Sequence, residues 1–119
     1  MTDRKKKKTV TFTVDSRPVP KGRPRMTRYG RVFTPKRTLD AEALVAAAYP
    51  RRRGKFKGTV SVKMRFTIDG TEITIADYVD TESRLKGDID NYAKTILDGL
   101  NGVAWGDDKQ VVYIEAEKA

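Results

Sequence analysis

The chain has 119 residues, and its 25 Lys+Arg against 16 Asp+Glu give a formal net charge of +9. It contains no cysteine and no histidine, which excludes disulfides, thiolate nucleophiles, imidazole bases and metal sites built from these residues. Any catalysis must therefore use carboxylates, lysine, hydroxyl groups or a hard metal ion bound through oxygen.

The charge is distributed unevenly along the chain. Residues 1–58 contain 18 of the 25 Lys+Arg but only 4 of the 16 Asp+Glu. This asymmetry and a pI near 9.9 indicate a basic surface for nucleic acid beside a separate acidic site. No apolar run approaches the roughly 20 residues that span a bilayer, and "MTDRKKKK" lacks the apolar segment of a signal peptide. We therefore expect a cytoplasmic protein.

The first predicted elements are a basic tail and a strand. Residues 1–8 are expected to form a disordered electrostatic tail. The stretch Thr9–Ser16 alternates, with Val10, Phe12 and Val14 on one face, which predicts a half-buried strand.

Residues 17–37 form a predicted basic arm with four prolines and two glycines, including a short hairpin around Tyr29-Gly30. Tyr29 and Phe33 are candidates for stacking on exposed bases, with inward packing as the alternative for Phe33. Seven cations are predicted to contact the DNA backbone: Lys21, Arg23, Arg25, Arg28, Arg31, Lys36 and Arg37.

An alanine-rich helix is predicted over Arg37–Tyr49, with Thr38 as its N-cap and Pro50 ending it. A basic connector follows, and then the alternating stretches Thr59–Ile68 and Thr71–Val79 predict a β-hairpin. The side chains expected to point inward from the first of these strands are Val60, Val62, Met64, Phe66 and Ile68.

A second helix is predicted over Asp88–Asn101, stopped by Asn101-Gly102, and a last strand over Lys109–Lys118. The apolar stripe of this second helix consists of Ile89, Ala93, Ile96, Leu97 and Leu100. The element order predicts a single α+β domain over residues 1–119, with a mixed sheet of about four strands covered by two helices.

Five aspartates lie close together in this basic chain: Asp88, Asp90, Asp98, Asp107 and Asp108. One interpretation is structural, since Asp-x-Asp at a helix start and Asp-Asp after a turn commonly serve as caps. The other is a site for a hard cation such as Mg²⁺, which takes carboxylates, water and phosphate oxygens as ligands. Metal-dependent nucleases need that arrangement beside a phosphate-binding surface.

The stretch "GDIDNYAKTILDGLNGVAWGDDKQVV" resembles the motif of the RusA family of Holliday junction resolvases. That motif combines an Asp-x-Asp-Asn-x-x-Lys helix with a Trp-x-Asp-Asp-x-Gln-Val segment. The early "VPKGRPRMTRYGRVFTPKR" resembles the basic stretch of phage and prophage members. The resemblance implies a homodimeric, Mg²⁺-dependent endonuclease, with Mn²⁺ as a possible substitute, which nicks opposed strands of a four-way DNA junction.

Matched residue by residue, the resemblance places the metal ligands on Asp88, Asp90 and Asp108 and the catalytic lysine on Lys94. For Lys94 the alternative is a surface ion pair with Asp90. Three further candidates support these groups: Asn91, Asp98, and Asp107 as the second choice for the third ligand. For Asn91 a helix-start hydrogen bond and for Asp98 a plain surface acid are the alternatives.

Two other functions remain open from the sequence. One is a Mg²⁺-dependent nuclease for flaps or other branched DNA. The other is a basic nucleic-acid-binding module without catalysis, in which the aspartates are only caps and turns. The joint presence of Asp88, Asp90, Lys94 and Asp108 favours a nuclease, because a binding module has no need of that set.

Overall fold

The computed structural model describes residues 7–22, 24–78 and 84–118. The chain divides into two compact units, Met1–Asp80 and Thr81–Ala119. The predicted α+β class is confirmed, with a three-stranded sheet, a two-stranded hairpin and two α-helices among the described residues. The elements are β1 Thr9–Val14, β2 Arg25–Met26, β3 Val32–Phe33, α1 Lys36–Ala48, β4 Val60–Phe66, β5 Thr71–Asp77 and α2 Ile89–Leu100.

The three-stranded sheet has the order β1-β5-β4, and both of its pairings are antiparallel. The predicted β4–β5 hairpin is confirmed, and the Thr67 amide donates to the Gly70 carbonyl oxygen across its turn at 2.8 Å. Ile73 in the central strand pairs with Phe12 on one side and with Met64 on the other. Phe12, Ile73 and Met64 therefore lie side by side across the sheet and share one of its faces.

The core of the first unit lies where α1 packs against β1. Val10, Val14 and Ile73 are its buried apolar side chains. The rings of Phe12 and Tyr49 meet edge to face with their centroids 5.5 Å apart, a favoured aromatic geometry. The predicted inward face of β1 is thus confirmed.

The predicted burial of the β4 face is wrong, although the strand itself forms. Val62, Met64 and Phe66 are 48%, 56% and 64% exposed. With Leu44 of α1, Met64 and Phe66 line an open groove of about 600 Å³. Alternation determines which side chains share a face of a strand, but the elements packed over that face decide whether it is buried.

Thr38 is not the N-cap of α1, which begins one residue earlier than predicted, with Pro35 in the capping position. Thr38 lies inside the first turn and is only 4% exposed. Its hydroxyl oxygen accepts a hydrogen bond from the Gly22 amide at 2.9 Å. The hydroxyl therefore anchors the arm to the helix, a contact that a local capping pattern cannot reveal.

The predicted hairpin in the arm is confirmed as the antiparallel pair β2–β3. Thr27 closes its turn, since its amide donates to the Arg31 carbonyl at 2.7 Å and its hydroxyl accepts from the Arg31 amide at 3.1 Å. Gly30 takes a positive φ of 82° there, a conformation that glycine adopts without steric penalty.

The predicted last strand, Lys109–Lys118, is not formed. Its first residues lie in the 3₁₀ turn Asp108–Gln110, and residues 111–118 have no regular secondary structure. Val112 is 93% exposed. An alternating stretch becomes a strand only when a neighbouring strand satisfies its backbone, so the sheet of the described chain has three antiparallel strands rather than four mixed ones.

Helix α2 follows the prediction closely. It starts after Asp88 and ends at Leu100, where Asn101 is the C-cap and Gly102 has a φ of 80°. On the apolar stripe Ala93 and Leu97 are half-buried, while Ile96 is 62% exposed. Among the described residues, no helix is long and apolar enough to cross a membrane.

Candidate active site

The start of α2 presents two carboxylates that the fold does not use. Asp88 occupies the N-cap position, yet its side chain makes no capping hydrogen bond. Asp90 lies in the first turn, and both residues are exposed. In the described part of the chain, no hydrogen bond or ion pair engages either carboxylate. The capping interpretation therefore does not account for Asp88.

The peptide before Asp88 is held from both sides. The Gly87 amide donates to the Tyr92 hydroxyl at 3.1 Å, and the Gly87 carbonyl accepts from Lys118 Nζ at 2.9 Å. A Cβ at position 87 would lie 2.9 Å from Cζ of Tyr92, closer than carbon atoms pack. Glycine at this position allows the tyrosine ring to approach, which fixes the chain as it enters α2.

Lys94 pairs with Asp98 rather than with Asp90. Its Nζ lies 2.9 Å from a carboxylate oxygen of Asp98, one turn further along α2. The alternative of an Asp90–Lys94 pair is therefore wrong. Asp98 holds the ammonium group of Lys94, and the carboxylate of Asp90 remains available.

Asn91 lies in the first turn of α2, where its backbone amide donates to the Asp88 carbonyl at 3.1 Å. Its own carbonyl accepts from the Thr95 hydroxyl at 3.3 Å. Both bonds belong to the helix backbone, and its side chain is exposed with no hydrogen bond among the described residues.

The two aspartates after α2 have different roles. Asp107 caps the 3₁₀ turn, accepting from the Lys109 amide at 2.8 Å, while the Gln110 side chain accepts from the Asp107 amide at 3.0 Å. Asp108 instead accepts a hydrogen bond from the Trp105 indole N–H at 2.8 Å through Oδ1. Asp107 is thus a structural cap, and Asp108 is oriented by a rigid ring.

The structure does not bring the predicted ligands into one cluster. Asp88, Asp90 and Asp108 all belong to the second unit, but among described residues no three acidic side chains lie close enough to hold a metal ion. Their chemistry nevertheless suits a hard cation, because all three are exposed carboxylates in a chain without sulfur or imidazole donors.

The arm cations divide into paired and unpaired groups. Lys21 lies 3.8 Å from Glu42 of α1, and Lys36 lies 3.6 Å from Asp40 of the same helix; both pairs are exposed. Arg28, Arg31 and Arg37 are exposed and form no ion pair with described residues. Arg23 lies outside the described residues, and Arg25 is in β2.

The two aromatic side chains of the arm are open to solvent. Tyr29 is 86% exposed and Phe33 is 45% exposed. Phe33 therefore does not pack into a core within the described chain, and both rings are accessible for stacking.

The family model described as endodeoxyribonuclease RusA matches residues 15–119, which include the arm, α2 and the Asp107-Asp108 turn. The chain belongs to the RusA family. Membership of the RusA family indicates a Holliday junction resolving endodeoxyribonuclease that acts on branched DNA. Neither the curated proteins nor the solved structures gave a match.

Several residues that the sequence analysis did not single out contact the candidate site residues or their neighbours. The indole N–H of Trp105 orients the carboxylate of Asp108. Gln110 accepts from the Gly106 amide at 2.7 Å and so closes the acidic turn. Both belong to the family motif, which was the available signal. Lys118 and Tyr92 had no comparable signal, and Lys118 reaches Gly87 across 31 positions.

Proposed function

We propose that this RusA-family protein is a Mg²⁺-dependent endodeoxyribonuclease that resolves four-way DNA junctions by paired, symmetric nicks. The observation that carries the proposal is the pair of unengaged, exposed carboxylates of Asp88 and Asp90 at the start of α2. Neither carboxylate forms a capping bond or an ion pair, which leaves their charge at the helix N-terminus as the structural alternative.

Asp88, Asp90 and Asp108 would hold the metal ion, which would have to draw them together, since they form no cluster among the described residues. Asp108 suits the third position better than Asp107, since the Asp107 carboxylate is committed to the cap of the 3₁₀ turn. When bound, Mg²⁺ supplies positive charge against the phosphodiester and makes water more acidic. Mn²⁺ has the same preference for carboxylate oxygen and is expected to substitute.

Lys94 supplies the nearby cation that opposes the negative charge developing on the phosphate during cleavage. Asp98 keeps the ammonium on this face of α2 through the 2.9 Å pair. The indole N–H of Trp105 fixes the rotation of the Asp108 carboxylate. These contacts limit the rotation of the Asp108 carboxylate and keep Lys94 beside Asp98 before DNA binds.

Two symmetric nicks require two sites, and each chain carries one set of these residues. We therefore propose a homodimer, in which the arms contact the phosphates of the junction and the exposed Tyr29 and Phe33 meet unpaired bases. We also propose that the protein acts in the cytoplasm of a bacterium or a phage-infected cell, where it would meet branched DNA.

The test uses a labelled four-way junction, a flap and a linear duplex of matched sequence, each incubated with Mg²⁺ or with chelator. Asp108→Asn is compared with Asp107→Ala. We expect paired Mg²⁺-dependent nicks in the junction, no cleavage by Asp108→Asn, and retained cleavage by Asp107→Ala. The latter variant should unfold more easily, since a lost cap costs about 1 kcal/mol.

Each other outcome decides between the alternatives. Cutting mainly at the flap would support the nuclease site but would make flap DNA, rather than the four-way junction, the substrate. Tight binding without nicks in Mg²⁺ or Mn²⁺ would make the protein a binding module. Loss of cleavage in Asp107→Ala with full activity in Asp108→Asn would move the third ligand to Asp107.

A further inference from the structure

A second concentration of cations lies outside the arm, in the connector between α1 and β4. It combines residues from two distant parts of the chain: Lys7, Lys8, Arg51, Arg52, Arg53, Lys55 and Lys57. We call these seven residues the connector patch. All of them are exposed except Lys8, which is half-buried.

The connector patch has a defined conformation. Arg51–Arg53 form a 3₁₀ turn, in which the Gly54 amide donates to the Arg51 carbonyl at 3.0 Å. Lys8 Nζ donates to the carbonyl oxygen of Arg53 and also lies 3.4 Å from those of Gly54 and Lys55. The Arg53 guanidinium donates to the Thr9 carbonyl at 3.2 Å. Lys8 and Arg53 therefore hold the patch together, while the other cations point to solvent.

Among the described residues, no carboxylate forms an ion pair with a cation of the connector patch. The ion pairs among described residues involve Lys21, Lys36 and Lys94, none of which belongs to the connector patch. Asp77 reaches it only through the backbone amide of Lys8, at 2.7 Å. Like charges held together repel one another, and a bound polyanion removes that repulsion. Exposed arginine side chains suit phosphate oxygens particularly well.

The patch is better suited to a duplex backbone than to unpaired bases. Phe56, which lies between Lys55 and Lys57 of the patch, is half-buried, and the Lys8 ammonium lies over its ring at 4.6 Å from the centroid. A face covered in this way does not serve as a stacking platform for a base. We propose that the connector patch binds the phosphate backbone of a duplex arm of the DNA substrate, as a contact surface additional to the basic arm. The assignment of this duplex as part of a branched substrate rests on the proposed function.

The test compares two double variants with the same change in charge. Arg51→Gln/Arg52→Gln removes two solvent-facing cations of the patch and leaves Lys8 and Arg53 in place. Lys63→Gln/Arg65→Gln removes two exposed cations from β4 as the matched control. Fluorescence anisotropy gives the affinity of the full chain for a linear duplex and for a four-way junction, in chelator, over a range of salt concentrations. Thermal unfolding checks that both variants are folded.

We expect the slope of log affinity against log salt to become shallower by about 1 to 2 in the patch variant, because each phosphate contact contributes about 0.9. The slope for the control variant should change much less. The shallower slope of the patch variant should occur with both the linear duplex and the four-way junction. Equal slopes for the two variants would overturn the proposal. The proposed function is judged separately from nicking by the wild-type protein in Mg²⁺, so a failure of either leaves the other intact.

Discussion

At the scale of single residues, the acidic groups of α2 and of the following turn have separable roles. Asp107 and Asp98 make contacts that explain them as a cap and as the partner of Lys94. Asp88 and Asp90 make none among the described residues. A carboxylate without a structural partner is free to bind a cation or a substrate, so the unexplained residues are the ones expected at the reaction centre.

Lys94 allows a direct test of this separation. Lys94→Ala should reduce Mg²⁺-dependent cleavage by about 10²-fold or more, the size expected when a group that stabilises developing charge is lost. Junction binding should remain. Asp98→Asn should cause a smaller loss, because the ammonium stays but is held less firmly.

Single-turnover cleavage and anisotropy binding measured on the same junction would separate these effects. If Lys94 serves only as an exposed ion pair, both variants would cleave normally and lose at most a few tenths of a kcal/mol in unfolding free energy. That result would remove Lys94 from the proposed mechanism.

At the scale of elements, two glycines show how packing decides the effect of one added methyl group. A Cβ at Gly70 would lie 2.4 Å from the carbonyl oxygen of Val14, a backbone atom of the neighbouring strand. A Cβ at Gly99, in α2, would meet no atom within 4 Å. The β4–β5 turn therefore tolerates only glycine, whereas α2 has no steric need for it.

We expect Gly70→Ala to lower the unfolding free energy clearly and Gly99→Ala to raise it by up to about 1 kcal/mol. The first substitution forces backbone atoms apart, and the second replaces a poor helix former with a good one. Thermal or urea unfolding of the two variants provides the comparison. Equal stability of Gly70→Ala and the wild type would contradict the close approach of the turn to β1.

At the scale of the whole molecule, the excess of basic over acidic side chains is the main feature of the chain. The basic arm carries seven cations along its length, and those that the structure describes have unequal surroundings. Lys21 and Lys36 each lie within 4 Å of a carboxylate of α1. Arg28 and Arg31 have no such neighbour among the described residues. The unpaired arginines should therefore contribute more to phosphate binding.

This difference predicts unequal effects of equal changes in charge. Arg28→Gln/Arg31→Gln should weaken junction binding and flatten its salt dependence more than Lys21→Gln/Lys36→Gln, which also frees two carboxylates of their partners. Anisotropy titrations in chelator at several salt concentrations measure both quantities. Identical salt slopes for the two variants would show that net charge alone governs binding.

The sequence alone was sufficient wherever the signal is local. The alternation in β1 and β5, the hairpin turns and the capped, amphipathic α2 were all predicted, and the motif of α2 and the acidic turn identified the family. The DNA-contacting role of the arm stays a prediction, as do the metal ligands. Residues 1–6 of the expected tail lie outside the described chain, but Lys8 is an anchor of the connector.

Tertiary structure decided what local patterns leave open. Residues distant in the chain decide whether Thr38 caps a helix or anchors the arm. They also decide whether the β4 face is covered. The same holds for Lys118 at Gly87 and for the failure of residues 109–118 to become a strand. A hydrogen bond or a strand needs a partner, and periodicity specifies the orientation of a side chain without specifying what it will meet.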